Sequence, residues 1–296
     1  MRSDADILIS VASWEERFLL GCQRLFESHA YSRAIVYYSD EYADWTQASR
    51  ASVQAQCRDK GIQYEDGVLY AADTSRTWRE TLDSSLGQLP EGCNAVVDLS
   101  TMPREIIWQT FWFLQYRKCN VSYVYHRPGK YGEWLSRDPD RPRLVYKMSG
   151  ISRIGARTAL LVLAGYDVDR VRHLVDTFEP EIALLGLQKD SVAPENSERM
   201  EAQSSAFKDD RSVQRFWVDA YSSDHGMEAV ETALASISPT HNVIMASMGP
   251  KLSAVSLYRL HRQNENLGLV YLPAREFNRE YSSGIGETIY GSLDDS

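Results

Sequence analysis

Two short segments of the sequence have the residue types of an anion-binding loop. The first is Ser100-Thr101-Met102-Pro103-Arg104, and the second, about half a chain length later, is Ser247-Met248-Gly249-Pro250-Lys251. In both segments a proline follows the serine by three positions, and a cationic residue comes next. Backbone N–H groups at a helix start, together with a cation, can bind a phosphate. The repeat therefore predicts an anion site.

Each segment also has the signals of a helix that begins after a strand. Proline suits the first turn, and Ser100 or Thr101 is a good N-cap. Arg104 and Lys251 are unfavourable beside the positive helix end by some tenths of a kcal/mol, unless an anion binds there. Gly249 would let a ligand approach the backbone closely. We predict that the two loops form one site; the alternative is two ordinary helix starts with solvated cations.

Further candidates follow the first predicted strand of each half of the chain. Ser13, with Glu16 three residues later, predicts a capping box. Trp14 either packs against the core or stacks on a base, and the first is the commoner role of a tryptophan in a first helical turn. Tyr166 lies at a similar place in the second half. Two such aromatic residues would suit a ligand with two nucleobases.

Two polar residues end other predicted strands of the first half. Asp98 could bind a metal or a ribose hydroxyl, or it could form a structural ion pair with Arg104. His126 is interpreted as a strand-end hydrogen-bonding residue rather than a general base.

Short apolar runs alternate with segments of helical period, which is typical of βα units around a parallel sheet. The pattern of five strands and four helices occurs twice, in residues 1–126 and 158–275. Residues 127–157 form a connector rich in proline and charge, in which Arg143–Met148 alternates like a short strand. We expect the tail, 276–296, to be a loop. The predicted fold class is α/β, with two tandem Rossmann-like halves, each a mostly parallel five-stranded sheet with flanking helices.

Composition limits the classes of partner. The chain has 296 residues and a formal net charge of -9, which repels the backbone of duplex nucleic acid. A small anionic nucleotide remains a suitable ligand. There is no secretory signal pattern and no apolar run long enough for a membrane span, so we expect a cytoplasmic protein without a membrane partner.

Several kinds of site are not indicated. The four cysteines lack a C-x-x-C pair, and the histidines lack i, i+4 pairing, so we expect neither a metal site nor a disulfide framework. The dinucleotide fingerprint, the Walker A sequence and the G-x-S-x-G elbow do not occur. No cofactor is expected.

One resemblance rests on the residues of the two loops. Asp98-x-Ser100-x-x-x-Arg104 resembles the D-x-[ST]-x-x-x-[RK] motif of CRISPR-associated Rossmann-fold (CARF) domains. Gly249-Pro250-Lys251 is similar to the G-T-K element of such domains, with proline in place of threonine. Two such halves in one chain resemble the SAVED sensors of bacterial anti-phage defence. The resemblance implies binding of a cyclic oligonucleotide, or a related signalling nucleotide, between the halves.

Sensors of this kind usually carry an effector domain, for which two five-stranded halves leave no length here. We therefore expect either that the effector is a separate partner or that this protein has another role. The leading hypothesis is a non-catalytic nucleotide-sensing subunit with Ser100, Thr101 and Arg104 on one phosphate and Ser247 and Lys251 on another. The alternatives are a nucleotide-processing enzyme, either a ring-nuclease-like phosphodiesterase or a glycosidic-bond enzyme, and a scaffold subunit with vestigial sites.

Overall fold

A computed structural model describes residues 7–72, 74–189, 194–208, 210 and 212–294. The chain divides into two compact units. Unit 1 contains Met1–Glu133 and Arg279–Ser296, and unit 2 contains Trp134–Asn278. Within the described ranges, no helix is both long and apolar enough to cross a membrane.

The elements of unit 1 up to its fifth strand alternate as predicted. They are β1 (Ile7–Val11), α1 (Glu16–Ser28), β2 (Arg33–Ser39), α2 (Ala43–Asp59), β3 (Gln63–Leu69), α3 (Thr74–Leu86), β4 (Asn94–Asp98), α4 (Arg104–Tyr116) and β5 (Asn120–Tyr131).

Unit 2 follows, and a last strand then returns to unit 1. The elements of unit 2 are β6 (Ser136–Pro139), β7 (Arg143–Leu144), β8 (Arg157–Leu163), α5 (Val168–Phe178), β9 (Ile182–Gln188), α6 (Pro194–Ala206), β10 (Val213–Val218), α7 (Met227–Leu234), β11 (His241–Ser247), α8 (Leu252–Gln263), β12 (Gly268–Tyr271) and β13 (Ala274–Phe277). The returning strand is β14 (Ser282–Ser292).

The two sheets have the same strand order. It is β3-β2-β1-β4-β5 in unit 1 and β10-β9-β8-β11-β12 in unit 2, with all five strands parallel in each. This is the Rossmann order, in which the chain reverses direction across the sheet between the first and fourth strands. The predicted α/β class with two mostly parallel Rossmann-like halves is confirmed.

The apolar pattern explains why these segments pair. Every residue of β1 is buried, as expected for a central parallel strand that is covered on both faces. Helix α1 buries one stripe, Phe18, Cys22, Leu25 and Phe26, at helical spacing. In unit 2, Leu160 of β8 packs in the same core cluster as Val171 and Leu174 of α5.

Each of the two large sheets has six strands rather than the predicted five, and β6 and β13 form a separate two-stranded antiparallel sheet. The sixth is antiparallel: β14 pairs with β5 in unit 1, and β7 pairs with β12 in unit 2. An added strand satisfies the backbone groups that the fifth strand would otherwise expose at the sheet edge. Strand β7 lies within the connector segment Arg143–Met148, whose alternation is typical of a strand. The prediction missed β14 because this strand is polar and does not form an apolar run.

The tail is therefore not the predicted loop. Residues 276–296 contain the end of β13 and all of β14. The predicted connector, 127–157, holds the end of β5, then β6 and β7. Strand β5 continues past His126 because the returning tail gives it a partner, and unit 1 is consequently built from two separate stretches of chain.

A substitution in β14 tests this arrangement. A Cβ atom at Gly291 would lie 2.2 Å from the Tyr123 hydroxyl oxygen and 2.3 Å from its ring carbon Cζ. Tyr123 is buried in β5, so Gly291→Ala should lower the free energy of unfolding by about 1–3 kcal/mol. Urea unfolding followed by circular dichroism measures the change.

The matched control is Glu287→Ala, since this side chain on the same strand is 68% exposed. It should change the free energy of unfolding by about 0.5 kcal/mol or less. Equal effects of the two substitutions would show that β14 does not pack on β5 in this register.

Candidate functional site

The loop after β4, residues 99–103, is held by a buried carboxylate. Asp98 is the last residue of β4 and is fully buried. Its Oδ1 accepts hydrogen bonds from the Ser100 backbone N–H at 2.9 Å and from the Ser100 hydroxyl at 2.5 Å. Its Oδ2 accepts from the Ser10 hydroxyl at 3.4 Å. Because a buried charge must be hydrogen-bonded, Asp98 sets the path of this loop.

Ser100 and Thr101 are also bound to neighbouring strands. The His126 backbone N–H donates to Ser100 Oγ at 2.8 Å, and Thr101 Oγ1 donates to the Val11 carbonyl oxygen at 2.6 Å. Both side chains are buried. Their oxygen atoms therefore fasten the loop to β5 and to the end of β1.

The predicted N-cap is consequently wrong. Helix α4 begins at Arg104, and Pro103 occupies the N-cap position without a side-chain capping bond. Ser100 and Thr101 do not cap the helix, since their hydroxyl groups bond Asp98 and Val11. Arg104, which is half-buried, is the first residue of the helix.

The loop after β11, residues 248–251, has the same position in unit 2. Ser247 ends β11, and its hydroxyl forms a 2.7 Å hydrogen bond with Ser253. Ser253 Oγ in turn donates to the Pro250 carbonyl oxygen at 2.7 Å. Lys251 is at the N-cap position of α8, where no side chain caps the helix.

Gly249 has a structural reason that differs from the predicted one. Its N–H donates to the Leu163 carbonyl oxygen at 3.0 Å, and a Cβ there would lie 2.9 Å from the Ala164 carbonyl oxygen. Glycine is therefore required because this loop lies against the end of β8. The close packing of the loop is sufficient to explain why position 249 is a glycine, whether or not a ligand approaches the backbone there.

The two loops attach to their sheets in the same way. In unit 1, Thr101 Oγ1 donates to Val11, the last residue of β1. In unit 2, the backbone N–H of Met248 donates to Leu163, the last residue of β8, at 2.8 Å. Thr101 and Met248 are the second residues of the two matched segments. Different groups thus fix equivalent loops to the carboxyl end of the equivalent strand.

Three aromatic residues cluster at the carboxyl ends of β1 and β2. We call Trp14, Tyr42 and Trp45 the aromatic cluster. The Trp14 ring centroid lies 5.0 Å from that of Tyr42 and 5.1 Å from that of Trp45, and the latter two are 5.3 Å apart. All three are half-buried. The Arg279 guanidinium lies over the Trp45 ring at 4.2 Å.

Tyr42, Trp45 and Arg279 were absent from the sequence-based prediction. The available signal was that Trp14 and Tyr42 follow neighbouring parallel strands, whose carboxyl ends lie at one edge of the sheet. Arg279 gave no signal, since it comes from the far end of the chain. Tyr166 is half-buried between β8 and α5, and Asp167 caps α5 by accepting from the Arg170 N–H at 3.1 Å.

The predicted capping box at Ser13 is not formed. The Glu15 N–H donates to Ser13 Oγ at 3.1 Å, and α1 starts at Glu16 without a side-chain cap. Glu16 accepts instead from the Gly284 N–H at 2.7 Å. Buried Glu15 pairs with Arg17 at 2.6 Å. The capping box does not form because Glu16 bonds Gly284 of β14 instead of the start of its own helix.

His126 is a buried hydrogen-bonding residue at the junction of β5 and β14. Its Nδ1 lies 2.9 Å from Thr288 Oγ1, and Arg17 donates to its carbonyl oxygen at 3.2 Å. Its Nε2 is buried, with no hydrogen-bond partner among the described residues. Burial lowers the pKa of His126; the Asp98 carboxylate opposes this shift, and Arg24 and Arg17 reinforce it.

Comparisons with known proteins identify the fold. No protein-family model and no curated protein matches the sequence. The structure is similar to that of a Type III CRISPR defence DNA nuclease activated by cyclic oligoadenylate, with a TM-score of 0.55, 10% identity and 86% of this chain covered. The chain spans 63% of that nuclease. At this identity the likeness shows the fold alone.

A second similar structure is the cytoplasmic domain of a prokaryotic cation chloride cotransporter. The TM-score is 0.32, the identity is 7%, and the match covers 94% of this chain and 99% of that domain.

The buried histidines predict how stability depends on pH. Burial lowers the pKa of His126, His225 and His261, whereas in the unfolded chain a histidine has a pKa of about 6.5. Below that pH the unfolded state binds protons that the folded state does not, so stability is complete above about pH 6.5 and falls as the pH decreases. Each histidine contributes at most about 1.4 kcal/mol per pH unit.

His126→Gln should reduce the dependence of the free energy of unfolding on pH. His225 and His261 should maintain the remaining dependence. Urea unfolding of both proteins at about pH 7.5 and about pH 5.5 measures the difference. Identical slopes would mean that His126 titrates alike in the folded and unfolded states.

Proposed function

We propose that this protein is a nucleotide-sensing subunit that binds a cyclic oligonucleotide in a bacterial anti-phage defence system. One observation carries the proposal: two equivalent loops, each starting a helix with a cationic residue, occur on a fold similar to that of a nuclease activated by cyclic oligoadenylate. A repeated phosphate-binding position suits a ligand that is itself a repeat of nucleotides.

The charge distribution supports an anionic ligand at these positions. The net charge of the chain is -9, so an anion needs a local attraction that outweighs the overall repulsion. A helix N-terminus carries about half a positive charge, to which Arg104 in unit 1 and Lys251 in unit 2 each add a full one. We assign the phosphate contacts to Arg104 and Lys251.

The other residues of the two loops have supporting roles in this proposal. Asp98, Ser100 and Ser247 are buried and hydrogen-bonded within their own units. They hold Arg104 and Lys251 in place instead of contacting the ligand. Since Ser100 and Thr101 are engaged in this way, the loops favour a binding protein over the alternative, a nucleotide-processing enzyme. The effector is proposed to be a separate partner.

The aromatic cluster is the proposed contact for a base. Trp14 and Tyr42 follow β1 and β2, at the same edge of the sheet as Arg104. Base–aromatic stacking contributes about 1–3 kcal/mol per base, and Trp14 is only half-buried. Tyr166 is the proposed counterpart in unit 2.

A ligand panel with paired substitutions tests the phosphate contacts. Cyclic tetraadenylate, cyclic hexaadenylate, NAD and ATP are added to the purified chain, and its melting temperature is measured. A cyclic oligoadenylate at about 100 times its dissociation constant should stabilise the fold by about 2.7 kcal/mol, which appears as a shift of several degrees. Arg104→Ala and Lys251→Ala should each abolish the shift and leave the unliganded melting temperature nearly unchanged.

The matched controls are Lys118→Ala, two residues after the end of α4, and Arg262→Ala, in the last turn of α8. Both should keep the shift. Chromatography of the incubated ligand separates a sensor from an enzyme, because an enzyme would release linear products. If no member of the panel shifts the melting temperature, a scaffold with vestigial sites is the better interpretation.

Trp14→Leu tests the base contact independently of charge. It should weaken binding of the panel's best ligand by about 10-fold, as expected from the loss of one stacked base. Titration calorimetry measures the affinity. The control is Trp217→Leu, since Trp217 is an exposed tryptophan of β10. Equal affinities of the two variants would assign the aromatic cluster to packing.

A further inference from the structure

Two cysteines lie side by side at the amino ends of β4 and β5. Cys93 and Cys119 directly precede these strands, which pair in parallel from Asn94 opposite Asn120. The two Sγ atoms are 2.7 Å apart. This is longer than the S–S bond of about 2.05 Å, but it is closer than two unbonded sulfur atoms pack.

The backbone holds this pair in a geometry that a disulfide can adopt. The Asn120 N–H donates to the Cys93 carbonyl oxygen at 2.8 Å, so the two strand starts are fixed to each other. Neighbouring strands are about 4.8 Å apart, and disulfides join residues with Cα atoms about 4.4–6.8 Å apart. The register therefore places the two Cα atoms within the range that a disulfide spans.

We infer that Cys93 and Cys119 are a site of reversible oxidation that forms a disulfide within unit 1. With a peroxide as oxidant, one thiolate attacks a peroxide oxygen, breaks the O–O bond and becomes a sulfenic acid with release of water. The second thiolate then attacks that sulfur, the S–O bond breaks, and a second water leaves. Two thiols lose two protons and two electrons, and the peroxide is reduced to two waters.

The other two cysteines serve as an internal reference. Cys22 and Cys57 are fully buried, whereas Cys93 and Cys119 retain 8% and 5% of their surface. Burial raises the pKa of Cys57 to about 11 and also raises that of Cys22. Since the thiolate is the reacting form, oxidation should select the pair at the strand ends.

The bond would close a loop that contains β4, residues 99–103 and α4. A disulfide stabilises mainly by restricting the unfolded chain. Oxidation should therefore stabilise the part of unit 1 that carries Arg104. This inference rests on the sulfur geometry and does not depend on the proposed ligand.

The test uses the full chain, reduced and then treated with a small excess of hydrogen peroxide. Peptide mapping by mass spectrometry should show one cross-link, between Cys93 and Cys119, with loss of two hydrogen atoms. The melting temperature should rise on the order of 5 °C, and dithiothreitol should reverse both changes. Cys57→Ala should keep the cross-link, and Cys119→Ser should lose it.

Two results would overturn the inference. The first is oxidation of either residue to sulfinic acid without a cross-link. The second is a cross-link accompanied by an unchanged or lower melting temperature, which would mean that the native sheet does not favour the bond. Both measurements use the unmodified sequence, so they do not depend on whether a variant folds.

Discussion

The buried carboxylate of Asp98 is the constraint on which unit 1 depends. A charge at the end of a central strand, shielded from water, must be hydrogen-bonded or it destabilises the fold by several kcal/mol. Ser100 supplies two of the hydrogen bonds and Ser10 a third. Because Ser100 also accepts from the His126 N–H, the loop, β4 and β5 form one hydrogen-bonded unit. Arg104 then starts its helix from a fixed loop rather than a mobile one.

The same network explains why the end of the chain returns to unit 1. His126 is buried, and its Nδ1 bonds Thr288 of β14, so the last strand completes a polar cluster as well as a sheet edge. The hydrogen bonds of Glu16 with Gly284 and of Arg24 with Thr288 add to this connection. A unit formed from two distant stretches of chain cannot be complete until the second stretch has been added, and the sheet edge provides the site for it.

The sequence predicted the parallel strands because buried strands are continuous apolar runs bounded by turn residues. It also placed Arg104 and Lys251 beside their helix starts, since proline and a cation are local signals. The caps and the edge strand β14 were missed for one physical reason. Ser100, Thr101 and Glu16 each had a plausible role at a helix start, yet His126, Val11 and Gly284 bond them in the fold. Capping rules consider only partners close in sequence, whereas these side chains form hydrogen bonds with residues that are distant in sequence.

The two loops differ in the groups that fix them to the sheet but share a cation at the helix start. Both attach to the last carbonyl of the central strand, β1 or β8, one through a threonine hydroxyl and the other through a backbone N–H. Fixing the loop is therefore a task that different groups can perform. A positive charge at the helix start is present in both, although an empty helix end disfavours it. Packing explains the first feature and the helix dipole opposes the second, so we assign the proposed ligand contact to the cation.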